Sequence, residues 1–248
     1  MSAGEGAASD TPTHGKHYRC YDFLMAAFVA VVLCSNLIGP AKVCELEIPL
    51  LGLALVFGAG NLFFPFSFIF GDVLTEVYGY ARARRVIWAG FGAMVFASVM
   101  AWTVLSLPPS VREPYNAVLQ PALETVFGST WRVVAASMLA FWAGDFVNSY
   151  VMARMKVMTR GRHLWTRTIG STIAGQGVDS LLFYPIAFGG VWAAETMVAV
   201  VLFNWAFKCT VEIVMTPATY LVVGRLKRIE HEDVYDTHTD FTPFSLAD

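Results

Sequence analysis

The sequence predicts an all-α integral membrane protein with six transmembrane helices. Three observations carry that reading. Hydrophobic residues make up 56% of the 248 positions and charged ones only 15%, with mean hydropathy +0.55; soluble domains average about 25% charged. The apolar residues gather into runs long enough to cross a bilayer, which takes ~20 mostly apolar residues. The basic residues gather in alternate connections between those runs.

Taken in order, residues 1–19 read as a disordered cytoplasmic tail, because MSAGEGAASDTPTHG is small and polar. No cleavable signal is evident, since the first apolar run is already of full span length. The transmembrane domain is expected over 20–224, with spans at about 20–40, 48–78, 86–107, 131–152, 168–190 and 195–224. The second run is too long for one straight crossing. It holds Pro49, Gly52, Gly58, Gly60, Asn61 and Pro65, so it either kinks or breaks. Non-helical backbone at depth survives only against protein or a water-filled cavity, which makes 58–66 a candidate cavity wall. The 106–130 connection, with its four prolines, has room for a short interfacial helix. Residues 225–248 form a cytoplasmic C-terminal tail.

The basic residues set the orientation. Lys16 and Arg19 precede the first span. Arg82, Arg84 and Arg85 follow the second, and Arg154, Lys156, Arg160, Arg162 and Arg167 follow the fourth. Arg225, Lys227 and Arg228 follow the sixth. This alternation predicts six crossings with both termini cytoplasmic, provided that 48–78 crosses once.

Several functions are disfavoured. No GxxxxGK[ST] element is present for a P-loop, and no basic-aromatic pattern points to nucleic acid. The four cysteines show neither CxxC nor metal-site spacing, so neither a cofactor nor a metal is expected.

Polar residues inside the apolar runs are the informative feature, since a charge at bilayer depth costs at least ~2.5–3.5 kcal/mol. Asp72 and Glu76 are spaced i, i+4; Asp145 and Asn148, and Gln176 and Asp179, are spaced i, i+3. Asn204, Lys208 and Glu212 form an i, i+4, i+8 stripe. The predicted orientation sorts them by depth. Gln176, Asp179, Asn204, Lys208 and Glu212 form a midplane layer, joined by Asn61, with Phe64 and Phe183 as aromatic surfaces for a planar solute. Asp72, Glu76, Asp145 and Asn148 lie toward the cytoplasm, as a gate or coupling group or as a structural latch to Arg82, Arg84 or Arg154. Two readings of Asp179 and Lys208 stay open: solute ligands, or an ion pair holding two helices together. Glu212 either takes part in coupling or neutralises Lys208 within its own helix. Gly170, Gly175 and Gly177 suit close helix packing.

Three stretches carry a family resemblance: FPFSFIFGDVLTEVYGYARARRVIWAGF (64–91), NSYVMARMKVMTRGRHLWTRTIGSTIAGQGVDSLLFYPIAF (148–188) and FKCTVEIVMTPATYLVVGRLKRIEHEDVYDTHTDFTPF (207–244). Their D-x3-E-x-YG and R-x2-GST-x3-Q-x2-D elements are the most specific parts. The chain resembles the queuosine precursor transporters of the vitamin uptake transporter family over nearly everything after the first twenty residues. The resemblance implies an inner-membrane importer of a 7-deazaguanine base (7-cyano-7-deazaguanine, 7-aminomethyl-7-deazaguanine or queuine), salvaged for tRNA queuosine. It also implies a likeness to the solute-binding subunits of energy-coupling-factor transporters. Such a base shows the acceptor O6 beside the donors N1–H and N2 amine. Asp179 can accept from both donors, while Gln176 or Lys208 donates to O6. Transport is then either autonomous or dependent on a separate ATP-driven module. A membrane enzyme fits poorly, since no histidine lies in the spans. The bilayer and the base are the expected partners, and a homodimer rests on the commonness of two-fold symmetry alone.

Overall fold

The computed structural model describes residues 18–37, 43–48, 53–58, 64–128 and 131–245. Its helices are α1 (Tyr21–Leu37), α2 (Phe64–Tyr78), α3 (Tyr80–Ser106), α4 (Asn116–Phe127), α5 (Trp131–Met158), α6 (Leu164–Phe188) and α7 (Ala194–Glu230). Strands β1 (Val43–Ile48) and β2 (Leu53–Gly58) pair antiparallel, from Val43↔Gly58 to Ile48↔Leu53.

The helical class agrees with the sequence, and the hairpin departs from it. The 48–78 run is not one helix. VCELEI and LALVFG are rich in β-branched and large apolar residues, which favour strands, and Pro49 and Gly52 between them oppose helix. What remains of the run is the 15-residue α2. The expected helix in the 106–130 connection is α4, which buries no residue.

Helices α3 and α7 are long and apolar enough to cross a membrane, and α4 with α5 adds a third such element if the bent pair is one span. Outward-facing side chains on α3 (Phe96, Val99, Trp102) and α7 (Leu202, Phe203, Val214, Leu221) are large and apolar. The buried set, by contrast, includes Asp72, Glu76, Arg84, Lys156, Arg167, Gln176, Lys208 and Glu212. Apolar groups outside and charges inside invert the pattern of a soluble protein, as lipid as the surrounding solvent requires. The apolar core sits among α1, α2 and α3, around Phe28, Val32, Val73, Leu74, Val77, Val86 and Met94.

α5 and α6 form the most extensive helix pair. Two glycines permit it. A Cβ on Gly175 would stand 2.8 Å from the Gly144 carbonyl oxygen and 2.8 Å from Asn148 Cβ, and one on Gly144 would stand 3.0 Å from Asp179 Cβ. Small residues let backbones approach in the same way wherever helices pack in membranes. This close pairing sets Asp179 against α5.

Of the basic residues expected in loops, Arg160 and Arg162 remain in the α5–α6 connection and others lie on helices. A single residue, Gly79, separates α2 from α3, at a left-handed φ of 84° that glycine tolerates. Arg82, Arg84 and Arg85 therefore fall in the first turns of α3, Arg154 and Lys156 in α5 and Arg167 in α6. The C-terminal segment packs back against the bundle. Asp236 accepts from the Tyr80 backbone N–H at 3.1 Å, and Arg84 Nη1 donates to the carbonyls of Asp240 and Thr242 at 2.8 and 2.6 Å.

Candidate functional site

The polar interior falls into two parts. The first is an ion cluster at the end of the bundle where α7 meets the C-terminal segment. Glu76, fully buried on α2, accepts a two-pronged pair from Arg167, with Nε to Oε2 and Nη2 to Oε1 both at 2.7 Å. Lys227 Nζ reaches Oε1 at 2.5 Å, and Lys156 Nζ stands 3.6 Å from the same oxygen. Lys156 also donates to the backbone carbonyls of Glu76 and Val234, each at 2.6 Å. Asp233 closes the cluster, 2.6 Å from Lys156 and 2.8 Å from Lys227. Burial raises the Asp233 carboxyl, but the hydrogen bonds from the two lysines outweigh it and hold the group below its ordinary value. α2, α5, α6, α7 and the C-terminal segment all converge here. The partners of Glu76 are thus Arg167, Lys156 and Lys227, not the Arg82, Arg84 or Arg154 that sequence proximity suggests.

The second part lies deeper in the bundle. Lys208 Nζ on α7 donates to Asp179 Oδ2 on α6 at 2.6 Å. The two side chains keep 10% and 18% of their surface, so the pair is accessible. Asp145 on α5 lies within electrostatic reach of both. Asn148 Nδ2 donates to Asp72 Oδ1 at 3.0 Å, which links α5 to α2. Around these contacts stands a set of buried polar atoms with no hydrogen-bond partner: Asp72 Oδ2, Asp145 Oδ2, Thr172 Oγ1, Gln176 Oε1, Ser180 Oγ and Glu212 Oε1. They come from all four helices α2, α5, α6 and α7. Thr172, Gln176 and Ser180 are spaced i, i+4, i+8 and share one face of α6. That face lies between the one set against α5 by Gly175 and Asp179 and the one packed on α7, where Trp205 Nε1 donates to the Ile173 carbonyl at 2.9 Å. Buried polar groups are nearly always paired, so such a concentration marks a place built for something other than packing.

The structure regroups the sequence-predicted residues. Asp145, expected with Asp72, Glu76 and Asn148, lines one cavity with Asn148 and also lies within reach of the Asp179–Lys208 pair. Glu212, expected either in coupling or as the neutraliser of Lys208, is buried on α7 with Oε1 unpartnered, and Lys208 pairs across helices with Asp179. Asn204 donates to the Val200 carbonyl of its own helix at 3.0 Å. Phe183 packs edge-on to Tyr184 and Phe188, with ring centroids 5.0 and 6.0 Å away. Asn61 and the Phe64 side chain lie outside the described residues. Sequence reasoning passed over Arg167, Lys156, Lys227, Thr172 and Ser180 as site residues. A signal for two of them was present: Arg167 and Thr172 belong to the R-x2-GST-x3-Q-x2-D element.

An apolar exterior around a charged, partly unpaired interior defines a multi-pass membrane protein with a polar centre. Comparison with known proteins makes that class particular. A family profile described as "Putative vitamin uptake transporter" matches residues 58–222, and the chain belongs to this family. It is 31% identical over 199 residues to a "Probable queuosine precursor transporter" of Bacillus subtilis (strain 168), covering 80% of this chain and 81% of that one. It is 26% identical over 212 residues to the "Queuosine precursor transporter" of Escherichia coli (strain K12), covering 84% and 88%. A third relative, from Haemophilus influenzae, is 24% identical over 168 residues, covering 66% and 67%. No solved structure matches the chain significantly. Its relatives are transporters and not enzymes.

Proposed function

We propose that this protein imports a queuosine precursor, a 7-deazaguanine base, across the bacterial inner membrane as an autonomous secondary transporter. In this reading the chain crosses six times with both termini cytoplasmic. The base lies between α5, α6 and α7. Asp179 accepts from N1–H and the N2 amine, and Lys208 or Gln176 donates to O6. The observation that carries the reading is the row of unpartnered buried atoms beside an accessible ion pair. Lys208 donates to Asp179 Oδ2, and an ammonium carries three donors, so it can also serve a carbonyl. The names of the relatives supply the class of solute. Asn204, Asn61, Phe64 and Phe183 complete the proposed solute surface, and Asp72, Asp145, Asn148 and Glu212 the coupling and gating side, while Glu76 takes the latch role of the two weighed for it.

The test is reconstitution of the purified chain in liposomes with labelled 7-cyano-7-deazaguanine. Uptake without ATP is expected. Asp179→Asn should weaken binding by about 10- to 100-fold, the worth of a charge-assisted hydrogen bond. Adenine, which cannot pair with the same edge, should compete poorly. Binding without uptake would reassign the chain as a solute-binding subunit of an ATP-driven assembly. Unchanged binding by Asp179→Asn would remove Asp179 from the site.

A further inference from the structure

We propose, resting on the transport reading above, that the groove between α3 and α5 is a docking site for the chain's own C-terminal segment. Docked there, the segment is a removable strap over the cytoplasmic exit of the solute path.

The groove has two walls of different chemistry. On α3, Tyr80, Arg84 and Trp88 are spaced i, i+4, i+8 and form one ridge. Each donates from its side chain to a backbone carbonyl of the segment. Tyr80 Oη reaches the Phe241 carbonyl at 3.1 Å, and Arg84 Nη1 reaches those of Asp240 and Thr242 at 2.8 and 2.6 Å. Trp88 Nε1 reaches the Pro243 carbonyl at 2.7 Å. On α5, Trp142, Phe146, Tyr150 and Arg154 repeat the same spacing. The Phe241 ring centroid lies 5.2 Å from that of Tyr150, with the Arg154 guanidinium 5.6 Å from it. The Phe244 centroid lies 5.9 Å from that of Trp142. This is how an extended peptide is held: its backbone bonds supply affinity and its side chains fix the register.

The segment is docked on the bundle, not built into it. After Glu230 the described residues form no helix or strand, and Phe244 is 71% exposed. A segment without a hydrogen-bonded ladder of its own opens at lower cost than the helices it rests on. Trp142 Nε1, buried on the α5 wall, has no partner among the described residues, so the docked segment leaves one donor of the groove unused.

What lies behind the groove gives the strap its role. The same turns of the two helices line a small cavity, with Ala83, Val86 and Ile87 from α3 and Asp145, Asn148 and Ser149 from α5. Asp145 and Asn148 belong to the proposed coupling side. The strap bridges α3 and α5 over these turns, and once it lifts the two helices are free to part. Its root is tied to the ion cluster, where Lys156 holds Asp233 and the Val234 carbonyl. Asp236 then accepts from the Tyr80 N–H at the start of α3. A rearrangement of the cluster therefore pulls directly on the strap.

The experiment uses the chain in liposomes, with its four cysteines replaced by alanine. Ser149→Cys then reports on the cavity, and a membrane-impermeant maleimide is applied from the cytoplasmic side. Labelling should be slow in the full chain. It should be about tenfold faster or more in a chain ending at Thr237 and in the full-length double variant Phe241→Ser, Phe244→Ser, because reaction tracks the population of the open form. Two variants, one of full length, guard against a single failure to fold. A second arm joins Trp142→Cys to Phe244→Cys with a short bismaleimide. Locking the strap should abolish uptake of labelled 7-cyano-7-deazaguanine yet leave its equilibrium binding in place, and the same protein before cross-linking should transport. Slow labelling in both strap variants, or full uptake by the locked chain, makes the segment a fixed brace and overturns the gate, with the transport reading intact. A wild type that neither binds nor takes up the base overturns the transport reading, and the exit role falls with it.

Discussion

The Glu76 cluster and the Asp179–Lys208 region use the same kinds of side chain to opposite effect. Around Glu76 each carboxylate oxygen has a cation, Lys156 is further held by two backbone carbonyls, and the C-terminal segment supplies Asp233 as a second acid. Along α6, ~14–20 Å deeper than Arg167 at 1.5 Å per residue, Gln176 Oε1 and Ser180 Oγ are buried without partners. The difference teaches how to divide intramembrane polar residues. Those with complete hydrogen bonding join helices, and those left incomplete are the ones proposed to meet the solute. The sequence treats Asp72 and Glu76 as twins one turn apart, yet they fall on opposite sides of this division.

The comparison can be broken most forcefully at the cluster. Arg167→Ala strands Glu76 against a reduced set of cations and should destabilise the protein by about 3–5 kcal/mol, the usual cost of breaking a buried pair. Thermal unfolding of the detergent-purified variant measures it. Asp179→Asn removes a single-pronged pair that keeps some exposure and leaves an amide oxygen to accept from Lys208, so it should lower the unfolding temperature less than Arg167→Ala while it impairs base binding. If Arg167→Ala melted normally and Asp179→Asn collapsed, the division would be inverted.

A smaller effect is expected where α5 meets α6. Gly175→Ala drives a methyl group against the Gly144 carbonyl, a backbone atom that cannot rotate away. Overpacking of this kind costs about 1–3 kcal/mol. The variant should lose both stability and base affinity, because Asp179 moves with α6. A variant that lost stability alone would show that the ion pair tolerates the shift.

The smallest effect is a pH dependence at the edge of the cluster. The Asp233 carboxyl lies below its ordinary value in the folded protein, because the hydrogen bonds from Lys156 and Lys227 overcome burial. Its contribution is therefore complete above the ordinary carboxylate value of about 3.9 and fades as pH falls through the folded value. Asp233→Asn should be slightly less stable than the wild type at neutral pH, and the two melting curves should converge in acid. Parallel curves at every pH would mean that Asp233 is not ionised in the cluster.

Much of this was legible in the residues. The apolar runs, the intramembrane acids and the helical spacings of 72/76, 145/148 and 176/179 follow from local pattern, and the helices appear where those patterns lie. The hairpin was missed because LALVFG is as apolar as a span, while VCELEI, with Glu45 and Glu47, falls in a connection; hydropathy does not separate strand from helix over so few residues. Arg167 was misread because a basic residue near a helix end looks like a topology signal, whether it faces water or a carboxylate.

The sequence alone determined that this is a helical membrane protein with charges inside its apolar segments, because bilayer thickness and the cost of burying charge act on composition and periodicity. The tertiary structure decided which charges are spent. Glu76 meets Arg167 and Lys227 across 91 and 151 residues of chain, and Asp179 meets Lys208 across 29. Those meetings depend on a helix approach set at Gly144 and Gly175. Local spacing carries no information on such distant pairs, so only the packed bundle separates the charges that hold it together from those left to act.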